Sequence, residues 1–276
     1  MSLSRRAFFR NLGVDRADSV SPNLIASRGR EALELWRNGL NYEDEAQWPV
    51  TRLADGAIVI SSNENPLGPG PAAYQALLDG LDQQAGRYPT NFRPSHRDLM
   101  QTIASKYGAR PENVTLGTGS GEILENAALA YTSPDKALVT ADPSYLQAVG
   151  VARRQGHPVR TVPLDANLRL DSEAIARAAS GAGLVFLCNP NNPSSTVMPA
   201  SDVEALVAEV RRSSPDTRIL IDEAYHDYAT DPAHQTAIPL ALRTPNVFVA
   251  RTFSKAYGMA GLRLGYAIGH LETIAT

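Results

Sequence analysis

The feature that most narrows the possible folds is a regular alternation of short apolar runs with helical patterns from residue 72 onward. Apolar runs at 114–116, 137–140, 159–162, 184–188, 218–222, 247–250 and 264–268 predict strands. Between most of them, apolar residues spaced for one helix face predict helices at 72–84, 95–107, 121–131, 144–155, 171–179, 200–212 and 237–242. Strands that are apolar along their whole length are buried on both faces, because a half-exposed strand alternates. The expected fold class is therefore α/β: three layers, α/β/α, around a mostly parallel sheet.

The 276 residues are enough for one large domain with an arm in front of it. Residues 1–50 are expected to form an N-terminal leader and an arm helix, the latter marked by Leu33, Leu35, Trp36 and Leu40 among charged residues. Residues 51–276 are then the large domain. A net charge of −3 gives no basis for nucleic-acid or membrane-surface binding. Cys188 is the single cysteine, so no intramolecular disulfide exists, and the five histidines lack metal-ligand spacing, so no metal is expected. Ser4-Arg5-Arg6-Ala7-Phe8-Phe9-Arg10 resembles a twin-arginine export signal, yet Asp15, Arg16 and Asp18 interrupt the apolar stretch such a signal needs. A cytoplasmic location is the first expectation, and periplasmic export the alternative.

In open α/β sheets, ligands bind beyond the carboxyl ends of the strands. The polar clusters of this chain fall there. Gly117-Thr118-Gly119-Ser120-Gly121-Glu122 follows one strand and opens a helix, where unpaired N–H groups suit a phosphate or simply form a capped turn. Asp222-Glu223-Ala224-Tyr225 ends another strand. A carboxylate there either pairs with a protonated ring nitrogen or is an ordinary loop carboxylate; at ~4 Å and an effective dielectric of ~20 the pairing is worth about 4 kcal/mol. Asn189-Pro190-Asn191-Asn192-Pro193 forms a polar turn, and Tyr145 offers a ring to stack on a ligand or to fill the core. The stretch Thr252-Phe253-Ser254-Lys255, with Arg263 eight residues after the lysine, weighs most. Lys255 serves as a nucleophile and base once it loses its proton, and the hydroxyls with Arg263 suit a dianionic phosphate. Together these groups describe a pocket for pyridoxal 5′-phosphate (PLP).

The same residues carry a resemblance. Asn63-Glu64-Asn65-Pro66-Leu67-Gly68-Pro69, Arg87-Tyr88-Pro89, Gly119-Ser120-Gly121-Glu122, Pro143-Ser144-Tyr145, Asn191-Asn192-Pro193, Asp222-Glu223-Ala224-Tyr225 and Ser254-Lys255 with Arg263-Leu264-Gly265-Tyr266 occur in order. The chain resembles the class I/II PLP-dependent aminotransferases of fold type I, and within them the histidinol-phosphate aminotransferase group. That resemblance implies a PLP-binding large domain and an enzyme moving an amino group between an amino acid or amino-alcohol phosphate and a 2-oxo acid. It implies that Lys255 carries the cofactor, Asp222 pairs with its ring nitrogen, and Asn192 and Tyr225 bind its phenolate oxygen. Tyr145 would stack on the ring, while Ser120, Gly121, Thr252, Ser254 and Arg263 would hold the phosphate. Tyr88 would reach the neighbouring subunit's site, which makes a homodimer the expected assembly.

Three departures stand out. The usual N-N-P-T-G reads Asn191-Asn192-Pro193-Ser194-Ser195, and losing the glycine is expected to shift the turn. The usual G-A/S-D-E reads Gly119-Ser120-Gly121-Glu122, which removes a carboxylate from the phosphate loop. The family's small C-terminal domain, which carries an arginine for the substrate, is expected to be absent from this chain. A PLP-dependent decarboxylase or lyase on the same scaffold, or a PLP-binding chain with impaired catalysis, are the alternatives.

Overall fold

The computed structural model describes residues 61–84 and 96–275. The elements are α1 (Pro71–Gln84), α2 (His96–Lys106), β1 (Val114–Thr118), α3 (Gly119–Tyr131), β2 (Leu138–Asp142), α4 (Gln147–Arg154), β3 (Val159–Pro163) and α5 (Ser172–Ala178). They continue with β4 (Leu184–Cys188), α6 (Ala200–Ser213), β5 (Arg218–Asp222), α7 (Ile238–Arg243), β6 (Val247–Thr252), β7 (Leu264–Gly269) and α8 (Leu271–Ile274). Local chemistry explains the helix limits. In α6, Val203, Leu206, Val207 and Val210 form one buried stripe, Asp202 lies in the first turn, and Arg211 and Arg212 lie in the last, matching the helix dipole. In α5, the Asp171 carboxylate accepts from the Ala174 N–H at 2.9 Å, a side-chain N-cap.

The strands form a seven-stranded sheet in the order β1-β7-β6-β5-β4-β2-β3. Its β3-β2-β4-β5-β6 portion is parallel, and β7 runs antiparallel to both β6 and β1. Strands β4 and β6 are buried at every residue. Their alternate side chains feed two cores. Val185, Leu187, Ile219, Ile221, Val247 and Val249 pack with α2, α5, α6 and α7. Leu184, Phe186, Cys188, Leu220, Phe248 and Ala250 pack with α3 and α4 on the other face. This is the three-layer arrangement that the apolar runs predict.

The register fixes the working edge. Cys188 lies opposite Asp222, Asp222 opposite Ala250, Thr252 opposite Gly265, and Gly265 opposite Gly117. Because β7 is reversed, its first residues meet the carboxyl ends of β6 and β1. Arg263, immediately before β7, is therefore delivered to the same edge as Asp222 and Lys255. The compact unit that holds these elements spans Glu64–Thr276. Among the described residues, no helix is long and apolar enough to cross a membrane.

Candidate active site

Asp222 ends β5 with only 2% of its surface exposed. Burial raises its carboxyl pKa from the ordinary range to about 7, against an N–H bond from Ala224 at 3.1 Å; Glu223 adds to the rise and Lys255 opposes it. A dehydrated carboxylate at a strand end is poised to ionise fully when a cation arrives beside it. The neighbouring Cys188 thiol is buried too, and burial with Asp222 behind it pushes its pKa well up, which leaves it an inert thiol.

Lys255 follows β6 in a loop held by its own backbone. The Ser254 N–H donates to Thr252 Oγ1 at 3.1 Å, and the Gly258 N–H to the Lys255 carbonyl at 3.0 Å. The loop is clamped from outside by Asn65, whose amide donates to the Ala256 carbonyl at 3.1 Å. Gly258 has φ +69°, and any Cβ there would collide with the Gly68 carbonyl, so both its conformation and its space require glycine. The Lys255 ammonium lies 5.7 Å from the centre of the Tyr225 ring. Burial lowers the Lys255 pKa and Arg263 adds to that, while Glu64 and Asp222 oppose it.

The third corner is the start of α3. Gly119 has φ +76°, where a side chain is strained, and a Cβ there would also displace the Arg263 guanidinium. Arg263 donates to Ser254 Oγ at 3.4 Å, to the Ala260 carbonyl at 3.0 Å and to the Thr118 carbonyl at 3.5 Å. Its backbone is left-handed, φ 51° and ψ 58°, which turns the chain back into β7. Glu122 Oε2 accepts from the Thr118 N–H at 2.6 Å, so this carboxylate caps the helix. Arg263, Ser254, Thr118, Gly119 and Ser120 thus meet at one helix N-terminus, which is what a phosphate requires.

Tyr145 and the Asn191 turn form the fourth side. Tyr145 donates its hydroxyl to Gln147 Oε1 at 3.0 Å. Ser144 Oγ donates to Asn191 Oδ1 at 2.8 Å, and Asn191 Nδ2 donates to the Pro143 carbonyl at 3.0 Å and to Ser194 Oγ at 2.8 Å. Asn192 is half-buried beside this lattice. At the position where the turn was expected to change, Ser195 itself takes the left-handed conformation, φ 58°, and its N–H donates to the Asn191 carbonyl at 2.8 Å. The hydrogen-bond frame holds the turn where glycine would have made it easy. Tyr88 lies outside the described residues.

The structure adds residues to which sequence reasoning gave no role. Behind Asp222 is a buried ion pair: Arg251 donates to Glu223 Oε2 through Nε at 2.8 Å and Nη2 at 2.7 Å. Glu223 also accepts from Thr236 Oγ1 at 2.8 Å and the Ala237 N–H at 2.6 Å. Burial opposes the charge on Arg251, and Glu223, assisted by Tyr107, Tyr266 and Asp227, outweighs it. Beside the pair, His226 Nδ1 is 2.9 Å from His234 Nε2. Burial first, then Arg251 and His234, lower the His226 pKa to about 4, so it is neutral. The signal that could have found the pair is one arginine continuing the otherwise apolar strand Val247-Phe248-Val249-Ala250.

Residues 55–276 match the family described as Aminotransferase class I and II. A histidinol-phosphate aminotransferase of Rubrobacter xylanophilus is 37% identical over 222 residues, 80% of this chain and 61% of that protein. Histidinol-phosphate aminotransferase 1 of Cupriavidus pinatubonensis is 37% identical over 263 residues, 94% of this chain and 64% of that protein. The crystal structure of the Sinorhizobium meliloti histidinol-phosphate aminotransferase, in complex with pyridoxal-5′-phosphate, superposes with a TM-score of 0.67 at 30% identity, covering 77% of this chain and 56% of that one. The chain spans less than two thirds of the length of each of these relatives.

Proposed function

Since the chain belongs to the class I and II aminotransferase family, we propose that it moves an amino group between a histidinol-phosphate-like amino-alcohol phosphate or an amino acid and a 2-oxo acid, using PLP. The observation that carries this reading is the meeting of Asp222, Lys255 and Arg263 at one sheet edge, delivered by three different strands. The donor set suits PLP in its chemistry. A dehydrated carboxylate matches a ring nitrogen, a half-buried lysine a carbonyl carbon, and an arginine over a side-chain-free helix start a phosphate.

Bound PLP supplies an electron sink for bond breaking at the substrate Cα. Asp222 keeps a proton on the ring nitrogen, and the attraction between carboxylate and cation offsets its own burial. Lys255, its pKa lowered, reaches the neutral amine at lower pH than an exposed lysine and takes the Cα proton on Nζ. Tyr225 and Asn192 are assigned to the phenolate oxygen and Tyr145 to the ring face. Arg263, Ser254, Thr252, Ser120 and Gly121 are assigned to the phosphate. The reading further includes a homodimer with Tyr88 crossing to the partner's site and a cytoplasmic location. It includes a PLP-binding domain over 51–276; residues 1–50, read from the sequence as leader and arm helix, lie outside the described residues.

The test is an absorbance spectrum of the purified chain with PLP, beside Lys255→Ala, before and after glutamate or histidinol phosphate. A Lys255-dependent band that bleaches on adding the amine supports aminotransfer. No Lys255-dependent band refutes it for this chain.

A further inference from the structure

The side chain of Gln147 occupies a place that sequence reasoning left empty. Gly121, in the first turn of α3, has no side chain, and a Cβ there would lie 2.6 Å from Gln147 Nε2 and 2.9 Å from its Oε1. Gln147 reaches this point from the start of α4. It accepts the Tyr145 hydroxyl proton at 3.0 Å and donates from Nε2 to Glu125 Oε1 at 2.9 Å, one turn along α3 from Gly121. The direction of the relay is dictated by chemistry. The amide gives its NH₂ to Glu125, which leaves its oxygen to accept from Tyr145, so the phenol is the donor.

From these contacts we infer that Gln147 is a positioning residue for the ring of Tyr145, an inference that rests on the PLP reading above. One end of the tyrosine is fixed by the backbone at the Pro143-Ser144 corner, and its hydroxyl is tethered through Gln147 to α3. The same amide lies against the Gly121 backbone, so the ring-covering residue and the phosphate-end helix are tied by one side chain. A Cβ at 121 would force the Gln147 amide to shift, and with it the acceptor of the Tyr145 hydroxyl. The amide is neutral, so the tether adds no negative charge beside a phosphate.

The role can be separated from simple packing by exchanging the partners. Gln147→Leu removes the tether; Gln147→Glu sets two carboxylates against each other. The double variant Gln147→Glu with Glu125→Gln lets the carboxylate and amide trade places, which removes that repulsion and restores the link from Tyr145 to α3. The readouts are the circular dichroism that the protein induces in the PLP absorption band, the PLP dissociation constant from a spectral titration, and the melting temperature of the cofactor-free chain. The expected result for Gln147→Leu and Gly121→Ala is a diminished induced band and PLP binding about fivefold to tenfold weaker, the loss of one hydrogen bond. Cofactor-free melting should barely change, and the exchange variant should recover the induced band that Gln147→Glu loses. An unchanged induced band in Gln147→Leu, or an exchange variant no better than Gln147→Glu alone, overturns the inference. If the native chain shows no band that depends on Lys255, the PLP reading falls and this inference with it; a native band shared unchanged by Gln147→Leu sinks the Gln147 role alone.

Discussion

The end of the site proposed for the cofactor ring, the ring end, and the end proposed for its phosphate, the phosphate end, hold charge by opposite means. At the ring end Asp222, Glu223 and Arg251 are 2%, 1% and 5% exposed, and the ion pair is complete within the protein. At the phosphate end a single exposed guanidinium leans on backbone carbonyls at 3.0 and 3.5 Å, above a helix start kept bare by Gly119. Burial makes the first arrangement rigid and sensitive to the loss of any one partner. Exposure makes the second cheap to keep and open to an anion, since a guanidinium has five donors. The comparison suggests that the ring end is part of the folding core while the phosphate end is specified by shape.

The hardest way to break that contrast is to remove one charge from each end. Arg251→Met leaves Glu223 buried without its partner and is expected to lower stability by up to about 5 kcal/mol in urea unfolding. Arg263→Met should leave the unfolding midpoint of the cofactor-free chain nearly unchanged while weakening PLP binding strongly. Equal losses of stability in the two variants would erase the distinction.

Asp222 sharpens it through pH. Its folded pKa stands at about 7 against an ordinary 3.8, so between those values the native chain binds more protons than the unfolded one. Stability from this group is present below about pH 4 and is lost as pH rises through 7. At ~1.4 kcal/mol per pH unit the loss is about 4 kcal/mol. Asp222→Asn, which keeps an acceptor for the Ala224 N–H, should therefore be more stable than the native cofactor-free chain at pH 8. The gap should close towards pH 4. A pH-independent difference would mean that the carboxylate is hydrated in solution.

Gly265 probes the phosphate end by shape alone. It lies between β1 and β6, and a Cβ there would strike the Ser120 N–H at the head of α3. Backbone cannot swing aside as Arg263 can, so Gly265→Ala should push α3 outward at about 1–3 kcal/mol. PLP affinity should fall further than it does for an alanine at the exposed Gly261, where a Cβ meets nothing. Equal PLP affinities in the two alanine variants would place the head of α3 outside the phosphate site.

Much of this was legible in the sequence, for a physical reason. Runs such as Leu184–Cys188 and Arg218–Asp222 are apolar because both faces are covered, so strand positions and the three layers follow from local pattern. The polar residues after them mark the working edge by position along the chain. The reversal of β7 was not legible, since an apolar run reads the same in either direction. Nor was the Gln147 relay, because Glu125 and Tyr145 meet it only after α3 packs on α4. The Glu223–Arg251 pair lies between: both residues were visible, and only the sheet register puts them in contact.

The smallest effect concerns the turn that the sequence expected to move. Ser195 carries φ 58° at the position where relatives usually have glycine, a conformation that disfavours a Cβ by roughly 1–2 kcal/mol. Neighbours fix it there. The Ser195 N–H bonds the Asn191 carbonyl at 2.8 Å, the Asn191 N–H bonds the Thr196 carbonyl at 2.9 Å, and Thr196 Oγ1 donates to the Leu168 carbonyl at 2.6 Å. Ser195→Gly keeps every one of these bonds and relieves the strain, while the extra freedom of glycine in the unfolded chain returns part of the gain. The expected net effect is a stabilisation of about 0.5 kcal/mol in thermal unfolding, with the PLP dissociation constant unchanged. Weaker PLP binding in Ser195→Gly would instead mean that the strained serine holds Asn192 in place, and the turn would then belong with the buried, rigid end of the site.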